Sequence, residues 1–229
     1  MNEIIVAIEG IDGVGKATQS KLLTKRLISH NYPVKFLSFP TYNSFFGKMI
    51  GNYLDGKYGT LTTVPIEFSS LLFALDRWKV FNDLKSEDRA GSTIFIIDRY
   101  VPSNIAHQAA KLYSKRRQNL IKWITYLEYE IFRIPRPTIV LVLDADPIIT
   151  SKQLLMKGRR SYTKKKMDLH EQNKGYLKNV RDVYKKLCKT ENNFKLIKCT
   201  EGATMRKITD IAEDIWLSIT PVLASKIER

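Results

Sequence analysis

The 229 residues carry 38 Lys+Arg against 23 Asp+Glu, a formal net charge of +15, enough chain for one substantial core and enough cation to favour polyanionic partners. Two cysteines, Cys188 and Cys199, exclude a disulfide framework and point to a reducing cytoplasm. No apolar run reaches membrane-spanning length and no charged-then-apolar leader is read at the start, so neither a membrane protein nor a secreted one is expected.

In chain order, the first element is an apolar strand over 4–8. It runs into the turn Glu9-Gly10-Ile11-Asp12-Gly13-Val14-Gly15-Lys16-Ala17-Thr18, followed by a helix over 18–29. Strand, glycine turn with a lysine, then helix is the context of a phosphate-binding loop. The glycines let backbone N–H groups turn inward around phosphate oxygens, and the helix N-terminus adds positive potential. Residues Gly10 to Thr18 are therefore the candidate ATP cradle, with Lys16 reaching the outer phosphates. The residue after the lysine in such loops is Ser or Thr, whose hydroxyl helps hold Mg2+; here it is Ala17.

Further strands are predicted over 34–38, 93–97, 139–143 and 194–197, and helices over 66–82, 118–132, 147–156, 169–189 and 205–217. Buried strands alternating with helices mean crossover units and a parallel sheet covered on both faces. The expected fold is a three-layer α/β/α P-loop fold with a five-stranded parallel sheet, a single domain over 1–229. Ligands in such sheets bind beyond the carboxyl ends of the strands. Those ends carry Phe39-Pro40, Asp98-Arg99-Tyr100 and Asp144-Ala145-Asp146.

Asp98 beside a phosphate loop can order Mg2+ or its waters, and Arg99 can clamp a second phosphate. An Asp-Arg pair in an arbitrary loop is an ordinary surface ion pair, but the end of a buried strand favours a role in the site. Ser103, Asn104, His107 and Gln108 follow at helical spacing and face the same crevice. Phe73 and Arg77 lie four apart on one helix face, suiting a base stack and a hydrogen bond to its edge; alone, such a Phe is usually core. The run Lys157 to Lys166, containing Gly158, Arg159 and Arg160, reads either as a solvated loop or as a mobile lid at about 157–168 that delivers arginines to a developing negative charge.

Together these residues resemble the thymidylate kinases over almost the whole chain. Glu9 to Lys16 is similar to their phosphate loop, and Phe39-Pro40, Gly47 and Tyr53-Leu54 to their second motif. Leu71-Leu72-Phe73-Ala74 with Arg77 resembles their base-binding helix. Asp98-Arg99-Tyr100 with Ser103 and Gln108 resembles their signature, and Asp168-Leu169-His170-Glu171 the acidic motif ending their lid. The resemblance implies γ-phosphoryl transfer from Mg-ATP to dTMP in a cytoplasmic homodimer that pairs through the helix over 66–82, with no nucleic acid or membrane partner. It implies a dTMP site of Asp12 (at the sugar hydroxyl), Phe39, Tyr42, Leu54, Phe73 on the thymine face, Arg77 on its edge, Arg99 on its phosphate, Tyr100, Ser103, Asn104, His107, Gln108 and His170. Catalysis would fall to Lys16, Asp98, Arg99 and the lid arginines Arg159 and Arg160, with Asp98 and, through water, Thr18 at the metal. Departures are Ala17, Tyr42 where many members carry arginine, and His107 where Tyr or Phe is common. With Gly13 and Val14 in the loop, the chain resembles the members whose catalytic arginine sits in the lid. The competing readings are another nucleoside monophosphate or deoxynucleoside kinase, a nucleic-acid-stimulated P-loop ATPase suggested by the charge, and a nucleotide-binding protein without catalysis.

Overall fold

The computed structural model describes residues 3–85, 93–156, 170 and 174–227. Five parallel strands form one sheet in the order β2-β3-β1-β4-β5: β1 Ile4–Gly10, β2 Val34–Ser38, β3 Ile94–Asp98, β4 Ile139–Asp144 and β5 Phe194–Lys198. All of β1 is buried, as is all of β3, whereas the outer strands β2 and β5 are half-exposed. That gradient follows from sequence. The central strands are runs of Ile, Val, Ala and Phe with no alternation, and the edge strands interleave lysines that need water.

The chain leaves β1 through α1 (Lys16–Ser29) to reach β2 on one side, and leaves β3 through α4 (Val101–Ala109) and α5 (Ser114–Tyr126) to reach β4 on the other. Right-handed crossovers in opposite directions place α1 and α4 on opposite faces. The packing agrees: α1 lies against α8 (Ile208–Ile227), while α4 lies against α7 (Lys174–Thr190). The expected three layers and five parallel strands are therefore present. Helices α3 (Ile66–Lys85) and α6 (Pro147–Met156) complete the regular elements together with α2 (Phe45–Leu54), which the sequence reading did not predict, and a two-residue hairpin, β6 Thr200–Glu201 with β7 Thr204–Met205. Met205, expected to open the last helix, is in that hairpin, and α8 runs on through Pro221. Helix α5 continues into a π-helical turn over Leu127–Ile131. No helix among the described residues is long and apolar enough to cross a membrane.

Two apolar clusters hold this frame. The larger fills both faces of the sheet, with Ile8, Leu27, Ile97, Ile124, Leu141 and Ile215 all buried. The smaller, Ile50, Tyr53, Leu54, Val64 and Leu72, pins α2 to α3, with Tyr42 and Phe73 packed on it. Its job is local: it builds one wall of the cavity above the strand ends.

Candidate active site

Adjacent strands β1 and β3 send their chains in opposite directions, which opens a crevice beyond their carboxyl ends. A cavity of about 350 Å3 lies there, the size of a small-molecule site. Its lining brings together Asp12, Gly13, Gly15, Lys16 and Ala17 from the glycine turn, Asp98 and Arg99 from the end of β3, and Ser103, Asn104, His107 and Gln108 from α4. Phe39, Tyr42, Leu54, Phe73, Arg77 and His170 close it. Gly10, Ile11, Val14, Thr18 and Tyr100 are not part of that lining. Tyr100 is buried and its hydroxyl donates to Pro135 O at 2.6 Å, so it braces the core beneath the crevice instead of facing a substrate. Arg159 and Arg160 lie outside the described residues.

The glycine turn is shaped by backbone constraint. Gly10, Gly13 and Gly15 take φ of 136°, 83° and 101°, values that L side chains rarely adopt. A Cβ on Gly10 would also sit 2.5 Å from Leu143 O. No side chain caps α1 at Gly15, so the positive end of that helix faces the cavity without a competing oxygen. The Lys16 ammonium is buried and donates to Gly10 O at 3.0 Å and Ile11 O at 2.9 Å. Burial, reinforced by the nearby Arg99 guanidinium, pulls its pKa down to about 8.

Arg99 follows β3 with φ 66°, an uncommon backbone for a non-glycine residue. The turn is held by Glu9, the fully buried carboxylate of β1. It accepts from Tyr100 N at 2.7 Å, Ser103 N at 3.2 Å, Ser103 Oγ at 2.5 Å and Tyr184 OH at 2.8 Å. Burial raises its pKa despite those donors. So aimed, the Arg99 guanidinium pairs with the Asp12 carboxylate, and its NH1 lies 3.5 Å from both Ser103 Oγ and His107 Nε2. Burial works most strongly against the Arg99 cation, but Asp12, Tyr184, Asp98 and Glu9 together more than offset it, and the pKa is raised. His107 is held neutral: burial, then Arg99, brings its pKa to about 3. Tyr176 OH donates to His107 O at 2.9 Å, leaving His107 Nδ1–H to donate to that hydroxyl at 3.1 Å and Nε2 to face Arg99. The His170 ring lies nearly parallel to His107 at 5.1 Å and to Phe73 at 6.4 Å, a ladder of flat faces across the cavity.

The far end of the cavity is a set of buried polar groups. Arg77 Nε and NH2 each reach one oxygen of Glu128 at 2.6 Å. Asn104 Nδ2 donates to Glu128 Oε1 at 2.8 Å and to Ser70 O at 3.0 Å, while its Oδ1 is buried without a partner. Gln108 Oε1 accepts from Ser69 Oγ at 3.0 Å and Lys111 Nζ at 2.6 Å, leaving Nε2 buried and unpaired. Unpaired buried polar atoms are costly, so two of them at the wall of one cavity mark a place prepared for a ligand. Glu9, Glu128, Tyr176 and Tyr184 were not singled out from sequence as site residues. Nothing local marks them, because they act across separations of 24 to 175 residues. In contrast, Asp144 and Asp146 at the end of β4 are spoken for: Arg181 reaches Asp144 at 2.6 Å and Asp146 at 3.3 Å.

For Mg2+, the donor set is sparse but of the right chemistry. Asp98 supplies a hard carboxylate oxygen at the cavity wall, and no group of three or more His, Cys, Asp or Glu converges among the described residues. One carboxylate plus substrate phosphates and water is how Mg2+ is commonly held in phosphoryl-transfer sites.

A thymidylate kinase of Methanocaldococcus jannaschii, described as probable, is 33% identical over 201 residues, covering 88% of this chain and 89% of the relative. The thymidylate kinase of Mycobacterium tuberculosis is 32% identical over 135 residues, 58% of this chain, and the match spans 62% of that relative's length. The solved structure of a thymidylate kinase from Candida albicans superposes with a TM-score of 0.68 at 22% identity, over 95% of this chain and 91% of that one, a likeness of fold. The thymidylate kinase family model matches residues 8–208. The chain belongs to the thymidylate kinase family.

Proposed function

We propose that the protein transfers the γ-phosphoryl of ATP to the 5′-phosphate of dTMP. One observation carries the reading: a single cavity joins the glycine turn and Lys16 at one end to Arg77, Asn104 and Gln108 at the other, with Arg99 between them. Arg77 NH1 and Gln108 Nε2 are donors and Asn104 Oδ1 is an acceptor. A thymine edge offers the complement, two carbonyl oxygens flanking an N–H. Cytosine presents an amine and a bare ring nitrogen at two of those places and would leave like facing like. Phe73 and the imidazoles of His107 and His170 provide flat faces for the ring.

Transfer then needs little covalent chemistry from the protein, because the acceptor phosphate is already anionic. Lys16 follows the transferred group. Arg99 exchanges its Asp12 partner for the acceptor phosphate, and the freed carboxylate is placed for the sugar hydroxyl. The site residues named from sequence keep these roles, apart from Tyr100. Asp98 and, through water, Thr18 would hold Mg2+ that enters with ATP; the ion supplies neutralisation of phosphate charge. Arg159 and Arg160 are the basic groups proposed to reach the reacting phosphoryl. The working protein is proposed as a cytoplasmic homodimer, the second copy covering Phe68, Leu71 and Trp78, which are exposed on the outer face of α3.

An ADP-release assay with dTMP, dUMP, dCMP and thymidine tests the reading. Turnover with dTMP is expected at about 1–100 s⁻¹, abolished in Lys16→Ala and absent with thymidine. Turnover of thymidine without dTMP would reassign the protein to the nucleoside kinases.

A further inference from the structure

The base-reading groups do not choose their own orientation. An asparagine amide can present either its oxygen or its nitrogen, and an arginine can present any of three nitrogens. Both choices at the cavity wall are made by a residue that does not touch the cavity. Glu128 is fully buried on the π-helical turn after α5, 51 residues from Arg77 and 24 from Asn104 in the chain. Its two oxygens take Arg77 Nε and NH2 side-on, leaving NH1 as the remaining terminal donor. Its Oε1 also takes Asn104 Nδ2. Since the amide's other contact, Ser70 O, is likewise an acceptor, the nitrogen must face inward and Oδ1 must face away. One carboxylate thereby sets a donor and an acceptor.

The geometry points to Glu128 as the positioning residue that fixes the donor–acceptor polarity of the base-reading wall, and so the choice of a pyrimidine imide over an aminopyrimidine. This rests on the proposed dTMP site. The backbone supports the assignment. Leu127 to Ile131 is wound as a π-helix, with Phe132 N bonded to Leu127 O at 2.9 Å; such wide turns occur mostly as single insertions in α-helices, often at functional sites. The electrostatics agree as well. Burial alone would lower the pKa of Arg77; the Glu128 carboxylate, helped by Asp76 and Tyr100, more than reverses it, so the cation is secured where it stands.

Glu128→Gln removes this control with minimal change of shape. A glutamine offers one acceptor oxygen to three donors and points an N–H at one of them. Either Arg77 or Asn104 must then turn, and a turned Asn104 presents a donor where cytosine has its ring acceptor. The readout is kcat/KM for dTMP, dUMP and dCMP on one preparation, together with KM for ATP. The ratios do not depend on how much of the sample is folded. Wild type is expected to prefer dTMP over dCMP by about 10⁴, the scale of a site built around polar groups of its substrate. In Glu128→Gln that ratio should fall by about tenfold or more, the loss of one matched polar contact. The dTMP to dUMP ratio should stay within about twofold, because uracil and thymine share the same edge, and KM for ATP should be unchanged. Glu128→Asp keeps the charge but not the reach; it should shift the dTMP to dCMP ratio in the same direction, and it carries the test if the glutamine variant is insoluble. A dTMP to dCMP ratio unmoved in the soluble variants, or equal losses on all three nucleotides, would overturn the inference and leave Glu128 a packing residue. Wild-type protein inactive on every pyrimidine monophosphate would instead overturn the dTMP reading and this inference with it.

Discussion

At the scale of single residues, the site is a set of charges held in unfavourable surroundings by specific partners. Lys16 is the clearest case. Its burial lowers the pKa to about 8, so the cation that phosphate requires is lost as pH rises through that value. The kcat/KM for ATP, which reports the enzyme form that meets ATP, should be flat below about pH 7.5 and fall about tenfold per unit above about pH 8.5; initial rates across that range at a fixed dTMP concentration well below its KM would show it. A flat profile to about pH 9.5 would mean that Lys16 does not titrate there. His107 is shifted the same way by the same causes: held neutral by burial and Arg99, it should contribute no inflection near neutrality. Arg99→Ala removes the proposed acceptor clamp and frees its Asp12 partner, while the glycines and Lys16 of the turn are left in place. Its KM for dTMP should rise by about 10–100-fold, the worth of a hydrogen bond to a charged group, with KM for ATP nearly unchanged. Direct titration of dTMP by calorimetry would reveal the same loss, and unchanged dTMP affinity would remove Arg99 from the acceptor site.

At the scale of elements, the strands were the most legible part of the sequence. All five expected strands lie within one or two residues of their observed bounds, because the central three are continuous apolar runs bounded by turn residues and the edge strands β2 and β5 keep short apolar stretches broken by lysine. Helix α2 was missed because FFGKMIGNYL carries Gly47 and Gly51, residues that weaken a helix on propensity alone. Its formation depends on tertiary contacts that no local pattern shows. Ser44 caps it by accepting from Gly47 N at 2.8 Å, and Asp76 of α3 ties down Thr41 N at 2.8 Å and Ser44 Oγ at 2.9 Å. Gly47 has a further reason: a Cβ there would lie 1.8 Å from Thr41 O. Gly47→Ala should therefore lift α2 off the 41–44 loop and disturb Tyr42 and Leu54. KM for dTMP is expected to rise more than KM for ATP, alongside a stability loss of about 1–3 kcal/mol by urea unfolding. Equal effects on both substrates would show that α2 does not serve the acceptor side. The site shared the same asymmetry of legibility. Many residues that touch the cavity sit in short motifs at strand ends, whereas Glu9 and Glu128 orient them through partners 24 to 175 residues away in the chain.

At the scale of the whole molecule, the exposed side chains Phe68, Leu71 and Trp78 form one stripe along α3, at spacings of three and seven residues. If a second copy covers them, Leu71→Glu should convert the dimer to monomer in sedimentation velocity, since a charge would be buried without a partner. Unchanged sedimentation of that variant would place any dimer contact elsewhere. The parallel register of β1 and β3 pairs Ile8 with Asp98, so the loop proposed to cradle ATP and the turn that bears Arg99 issue from neighbouring rungs of one ladder. Neighbouring strands stand about 4.8 Å apart, which is the scale on which two phosphates must approach to exchange a group. The reach of the proposed reaction would then be a dimension of the sheet itself, set by backbone hydrogen bonds in the most buried part of the protein. Substitutions cannot retune it without dismantling the core. On the proposed reading the choice of nucleobase hangs on α3, α4 and the turn after α5, so the acceptor repertoire could drift while the phosphate spacing stays fixed.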